Sequence, residues 1–413
     1  MKNILIKISL FINYFVFAIL LNSVGAVILQ LQRNLDISKA DVSILEGFKD
    51  IPIALASFFV ASFLPKLGIR KGMSIGLAAV AIACFCMPLI KAEFWHFKLL
   101  FATTGVAFAI IKIGVFATIG LVTDSEREHR SFMSWIEGFF MVGVLAGNLI
   151  ISFFIDDNNP KSTEWLNVYW LLGGFSVLAL VLLWFSPLDE SKAHKEGNAL
   201  SEDFLDMIKL MAKPLILIFI MSAFLFVLIE QSFQTWMPTF YESVLSVPAS
   251  MGIQAASILA GAFALGRIAA GFVLKKMKWL PFLLICLGLL AICIIINLPL
   301  ANAAEISSDI NWFNAPLIVY LFPLMGIFLA PIYPTINSVI LTAIPKYLHS
   351  SMSGLIVVFS ALGGTIGSMI TGHLFEYFDG AMAFYLALLP ITLLAAALFI
   401  LNRLFLKQKQ AGV

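Results

Sequence analysis

Charged side chains are scarce in this sequence. Asp, Glu, Lys and Arg supply 12% of its 413 residues, against roughly a quarter in a soluble globular protein. So little charge excludes an ordinary water-soluble domain. The net charge of +2 leaves no basic surface for nucleic acid, and no basic cluster is interleaved with aromatics. The four cysteines, Cys84, Cys86, Cys286 and Cys293, lie inside apolar runs without His or acidic partners at ligand spacing. They are expected to be small core residues, neither disulfides nor metal ligands. There is no GxSxG, no Walker lysine loop and no HExxH, and His96, His129, His194, His349 and His373 are scattered at span ends or in loops. The sequence therefore reads as no enzyme, without cofactor or metal, and without a nucleotide site to power a pump.

Apolar runs fill the space that charge leaves. Hydrophobic residues make up 61% of the chain and the mean hydropathy is +0.99. A bilayer core about 30 Å thick takes about 20 apolar residues per helical span. Twelve such spans are read, six in each half. The first six are Ile8–Leu31, Ser43–Leu64, Met73–Ile90, Leu99–Val122, Phe132–Ile155 and Leu166–Phe185. The second six are Pro214–Phe240, Met251–Leu274, Leu280–Leu300, Ala315–Val339, Ser353–Tyr377 and Met382–Leu404. The expectation is an all-α membrane protein with 12 transmembrane helices in two pseudo-symmetric six-helix bundles, residues 1–185 and 214–413. Residues 186–213 form a cytoplasmic linker, in which Phe204, Leu205, Ile208 and Met211 are spaced as one face of an amphipathic helix. Met1 to Ala26 imitates a signal peptide, but its apolar run continues to Leu31, long enough to span, and is read as the first helix.

The connectors alternate in charge. Lys66, Arg70, Lys71, Arg127, Arg130, Lys192, Lys195, Lys209, Lys213, Lys275, Lys276, Lys278 and Lys346 fall on one side, with Lys2, Lys7, Arg403, Lys407 and Lys409 at the termini. The other side holds Arg33, Lys39, Lys91, Lys98 and Lys161. The positive-inside rule puts both termini and the linker in the cytoplasm, here of a bacterial inner membrane.

Seven charges break the pattern by lying within spans: Glu46, Lys49, Asp50, Lys112, Glu137, Glu230 and Arg267. A charge at mid-bilayer costs at least about 2.5–3.5 kcal/mol on insertion scales, so each faces a cavity or a partner. Lys112 is central in the fourth span, and Glu137 lies about a turn and a half into the fifth, close enough in depth to meet it. They form a static pair or a substrate and proton site. Asn148, eleven residues after Glu137, shares its helix face. Glu46, Lys49 and Asp50 share one face of the second span, as a compensated triad at a cavity mouth or as a solvated helix end. Glu230 is followed by Gln231, Gln234, Thr235 and Trp236, polar groups beside an aromatic ring that suit a sugar-like solute. Arg267 is read as structural or gating. Small residues cluster in Ala260–Gly271 and Ser360–Gly372, for tight packing or for sliding of gating helices.

Two six-span halves with a charged central loop resemble the major facilitator superfamily. Ala61–Lys71 resembles that superfamily's loop signature, with Lys66, Gly68, Arg70 and Lys71 fitting; Ala61 replaces the leading glycine and Pro65 the acidic residue. Gly266-Arg267 through Gly271, with Lys275 and Lys276, matches better in the second half. The second half resembles the fucose:proton symporter family through Tyr333-Pro334-Thr335-Ile336 with Asn337 and Ser338, through Gly363 to Gly367, and through Trp236. The first half departs: that family's proton-linked carboxylates on helices 1 and 4 correspond here to Asn22, Gly25 and Ala26, and to Lys112. The resemblance implies rocking of two bundles around a midplane site.

The reading that follows is secondary, proton-coupled uptake of a small polar or anionic organic solute: a sugar, a sugar acid or a cell-wall fragment. Its partners are the solute, protons and the lipid bilayer, with no nucleic acid, and the protein is expected to act as a monomer. Efflux of drugs or metabolites is the alternative, and a transporter-like sensor the third class.

Overall fold

The computed structural model describes residues 4–123, 125–186, 188, 190, 209–304, 310–345 and 348–410. The amphipathic linker helix expected at Ser201–Lys213 lies largely outside them. The described chain is helical: α1 Ile4–Asn22, α2 Val24–Leu35, α3 Lys39–Val42, α4 Leu45–Leu67, α5 Ile69–Leu89, α6 Phe94–Val122, α7 Glu126–Ser152 and α8 Val168–Trp184. After the linker come α9 Pro214–Ser243, α10 Ala249–Val273, α11 Trp279–Ala303, α12 Leu317–Leu324, α13 Gly326–Leu329, α14 Ile332–Ala343, α15 His349–Tyr377, α16 Gly380–Tyr385 and α17 Leu388–Gln410. Eleven helical stretches among the described residues are long and apolar enough to cross a membrane. The remaining expected span is α4, long enough at 23 residues but carrying Glu46, Lys49, Asp50 and Lys66.

Three of the twelve spans are interrupted, two of them for reasons written in their residues. The first breaks at Ser23, between α1 and α2. There the Asn22 amide donates to the Ala18 carbonyl (2.8 Å) and the Ser23 hydroxyl to the Leu20 carbonyl (2.8 Å). Side chains that bond the preceding turn bend a helix. The tenth is divided into α12, α13 and α14 around Pro323, Pro331 and Pro334, which lack the backbone donor that an unbroken helix needs. The twelfth breaks between α16 and α17.

The chain forms two compact units, residues 1–37 with 47–200, and residues 38–46 with 201–413. In the first unit α1 packs on α7, where a Cβ at Gly143 would lie 2.9 Å from the Phe15 carbonyl and one at Gly147 would lie 3.1 Å from Ile19 Cα. At the end of α2 and just beyond it, Arg33 pairs with Asp157 at 3.9 Å and Asp36 with Lys161. Cys84 is buried, but Cys86 is exposed, so Cys86 is not the core residue expected: two positions along a helix turn the side chain to the opposite side.

In the second unit the glycine-rich stretch of α15 lies against α9. A Cβ at Gly363 would stand 2.5 Å from the Phe224 carbonyl, and one at Gly367 2.4 Å from that of Leu228. Gly372 lets the segment 38–46 settle on α15: its Cβ would meet Ser43 Cβ at 2.4 Å and Trp236 Cζ2 at 2.6 Å. The same segment is tied down by Glu376, which accepts from the Lys39 backbone N–H (2.8 Å), and by Ser368, which donates to the Ser43 carbonyl (3.2 Å). Gly372→Ala is expected to destabilise the protein by about 1–3 kcal/mol, the cost of overpacking. Gly261→Ala, with open space around its Cβ, is expected to be neutral. Thermal unfolding in detergent reads both.

Candidate functional site

Glu46 sits on the first turn of α4 and is fully buried. Its carboxylate accepts from Gln231 Nε2 and from Thr235 Oγ1, the latter at 3.1 Å. Gln231 and Thr235 are one turn apart on α9, so one helix face supplies both donors. Lys49, only 7% exposed, donates to the Leu21 carbonyl at 3.2 Å and pairs with Asp50 at 3.5 Å. Helix-end solvation therefore does not describe this triad. Leu21 lies at the break in the first span, where its carbonyl loses its regular helical setting, and the ammonium fills that place.

Also on α9, Glu230 is half-buried, within electrostatic range of Arg267 on α10 and of Tyr333 on α14. The Tyr333 hydroxyl meets the Ser360 hydroxyl at 2.9 Å, and its ring stacks on Phe226 at 5.5 Å. Asn337, one turn on, lies beside Tyr333, and its Oδ1 is buried without a hydrogen-bond partner among the described residues. Arg267, expected to serve gating or structure, thus belongs electrostatically with Glu230. Gln234 is half-buried one turn beyond Glu230. Trp236 corrects the sequence reading. It is fully buried, donates from Nε1 to the Ser368 carbonyl at 3.1 Å and stacks on Phe375 at 5.3 Å. It is a packing anchor and presents no surface to a solute.

The first unit holds an aromatic cluster with charge of both signs at its edge. Phe17 of α1 and Phe140 of α7 flank Phe108 of α6, with ring centroids 5.8 and 6.1 Å away. Lys112, one turn after Phe108 and exposed, holds its ammonium 5.9 Å from that ring. Tyr14 of α1 meets Phe140 edge-on at 5.7 Å and lies within electrostatic range of Glu137, itself exposed on α7. The Tyr14 hydroxyl is buried and has no hydrogen-bond partner among the described residues. A buried hydroxyl left unsatisfied costs about 1–3 kcal/mol. Tyr14 did not stand out in the sequence; its signal was a tyrosine in the middle of an apolar run, where the hydroxyl needs a partner. Asn148, expected to share the Glu137 lining, is buried near the glycine contact between α7 and α1.

The loop before α5 has a separate architecture. Gly68 has φ +94°, a left-handed value that glycine adopts without strain. Glu190 accepts from the backbone N–H groups of Ile69 and Arg70, each at 2.9 Å, and Arg70 donates to the Ser186 carbonyl at 3.1 Å. A carboxylate at a helix N-terminus is favoured by the unpaired N–H groups and the helix dipole. Glu190, hidden in the linker, was not singled out by the sequence. The side chain of Lys66 lies outside the described ones. Gly266 is a close-packing position, where a Cβ would stand 2.3 Å from the Ile327 carbonyl.

The sequence matches the model of the Major Facilitator Superfamily over residues 10–368. The chain belongs to the major facilitator superfamily. No curated protein matches the sequence. Solved structures with the same fold include a bacterial homolog of the human lysosomal transporter Spinster, in its inward-facing and occupied conformation (TM-score 0.74, 15% identity, 98% of this chain and 97% of that one). They include the nucleoside transporter NupG (TM-score 0.75, 16% identity, 97% and 99%) and the xylose transporter XylE from E. coli (TM-score 0.72, 13% identity, 95% of each). The chain is a multi-pass membrane protein with the major facilitator fold, and family and fold make it a transporter rather than an enzyme.

Removing one donor from a buried carboxylate is expected to be felt at once in this major facilitator protein. Thr235→Val should cost about 1–3 kcal/mol of stability. Combined with Glu46→Gln, it should show a coupling above about 0.5 kcal/mol in a double-mutant cycle of denaturant unfolding.

Proposed function

We propose that the protein is a secondary active transporter that takes up a small polar or anionic organic solute with protons, by alternating access. The observation that carries this reading is the cluster of Tyr14, Phe108, Phe140, Lys112 and Glu137. It combines an unsatisfied buried hydroxyl, aromatic faces and a lysine in the middle of an apolar helix. Aromatic faces suit the apolar side of a sugar ring, and the ammonium suits a carboxylate. A sugar acid or a cell-wall fragment has both. Glu137 and Glu230 are the carboxylates assigned to proton exchange, Lys112 the group that neutralises the solute or Glu137. Glu46 with Gln231 and Thr235 in the second unit, and separately Lys49 with Asp50 in the first, are assigned to support of the route, Gln234 and Asn337 to its lining, and Asn148 to the packing beside Glu137.

The likeness of the second half to fucose:proton symporters supports proton coupling, through Tyr333 beside Glu230 and through Asn337. Related structures that carry xylose and nucleosides by name support a polar solute. In this reading residues 1–185 and 214–413 are the two rocking bundles and 186–213 their cytoplasmic tether. Both termini face the cytoplasm of a bacterial inner membrane, and one chain suffices for turnover. Efflux of amphiphiles is the second reading, favoured by the number of phenylalanine rings beside Lys112.

Proteoliposomes test the two readings directly. Uptake of hexuronates should rise several-fold under an inward proton gradient and collapse with a protonophore. Lys112→Ala should lower it by at least about tenfold, equivalent to 1.4 kcal/mol, while Lys112→Ala with Glu137→Ala should recover part of the loss if the two compensate each other. Uptake indifferent to the pH gradient removes the proton from the mechanism. Proton-driven extrusion of a hydrophobic dye, without hexuronate uptake, replaces import by efflux.

A further inference from the structure

On the outer surface of the first unit, α5 and α8 enclose a groove of about 620 Å³. From α5 it is lined by Lys71, Ser74, Ile75 and Ala78, spaced i, i+3, i+4 and i+7, a single helix face. From α8 it is lined by Leu180, Val181, Trp184 and Phe185. At the opposite end the two helices close together, where a Cβ on Gly173 would lie 2.5 Å from the Phe85 ring and Phe85 lies 5.6 Å from Trp170. At the Lys71 end they are held at one level by Arg70, which donates to the Ser186 carbonyl at 3.1 Å. The groove is therefore built into the helix pair. Ile75, Val181, Trp184 and Phe185 are 55%, 43%, 66% and 73% exposed, on helices apolar enough to cross a membrane, so the groove opens toward lipid.

Its chemistry changes along its length. The deep part is aliphatic. At the rim stand the Lys71 ammonium, exposed on a stem that lines the groove, and the Trp184 indole. Lysine with its stem in apolar surroundings and its charge in water, beside a tryptophan, is the arrangement found at headgroup depth. The neighbouring acid, Glu190, is held by two backbone N–H groups of α5 and its charge is offset by Arg70 of the same turn, which leaves Lys71 as the net positive charge beside the groove. Ser74 lies one turn inside Lys71, about 5 Å along the axis, and its buried hydroxyl has no hydrogen-bond partner among the described residues.

We propose that this groove is a binding site for one anionic phospholipid of the leaflet at the Lys71 end. An acyl chain lies against Ile75, Ala78 and Leu180, the phosphate meets Lys71, and the ester region lies at the depth of Ser74. The source is the bilayer, and the site is independent of the transported solute.

Native mass spectrometry of the intact protein, released from membranes containing phosphatidylglycerol and phosphatidylcholine, tests the proposal. A phosphatidylglycerol adduct should survive release, and phosphatidylcholine should be retained less. Lys71→Gln should lower phosphatidylglycerol retention about fivefold, the effect of one basic residue at an anionic surface. Ile75→Trp, which fills the groove while leaving the rim charge, should lower it as well. Lys278→Gln, another exposed basic position in the other unit, should leave it unchanged. Unaltered melting of each variant in lipid-free detergent shows that folding is intact. Equal loss from Lys71→Gln and Lys278→Gln, equal retention of both lipids, or full retention by Ile75→Trp overturns the proposal.

Discussion

Hydrocarbon offers no hydrogen-bond partner, and the architecture of this protein follows from that deficiency. Inside a bilayer every backbone N–H and C=O must be satisfied by the protein itself, which leaves helices and closed barrels as the means of crossing, and this chain crosses with helices. The same rule governs side chains. Glu46 is buried to the last atom and is met by an amide and a hydroxyl from one face of α9. Lys49 is nearly as deep and is met by a carboxylate and a carbonyl. The hydroxyl of Tyr14 and the Oδ1 of Asn337 are buried without such a partner among the described residues.

Breaks in helices obey the same accounting. An interruption frees carbonyls that must be satisfied again, and irregular backbone at membrane depth survives only where protein or water supplies a partner. At the first break the partner is the Lys49 ammonium on the Leu21 carbonyl. A cation tethered to the chain thus stands against an exposed helix end, a position whose partial negative charge favours it. In the tenth span the Thr335 hydroxyl bonds the Pro331 carbonyl at 2.6 Å, so the proline-rich stretch carries its own correction.

Much of this was legible in the sequence. The spans were readable because length and hydropathy are local properties, and each of the twelve stretches has a helical counterpart. The intramembrane charges were visible because they are rare. Their partners were not. Gln231 lies 185 positions from Glu46 and Thr235 lies 189 away, and no spacing rule reaches that far. Trp236 misled because an aromatic beside polar residues looks the same in a sequence whether its nitrogen faces a solute or the Ser368 carbonyl. Glu190 went unnoticed because a carboxylate in a charged linker looks solvated until two backbone donors are seen on it. Tyr14 was passed over because one hydroxyl barely alters the hydropathy of an apolar run. Helix breaks were the least legible, since Ser23 looks no different from a serine in a continuous helix.

The segment Ser38–Glu46 has a consequence for how the protein comes apart. By order along the chain it belongs to the first half; by packing it belongs to the second, held through Glu376, Ser368, Gln231 and Thr235. Cooperative unfolding follows contacts rather than chain order. The amides of Lys39 and Val42 should therefore exchange hydrogen in step with α9 and α15, and not with α1 or α6 of the other unit. A cut in the linker would not release two self-sufficient halves, because one of them would carry away part of the other's core.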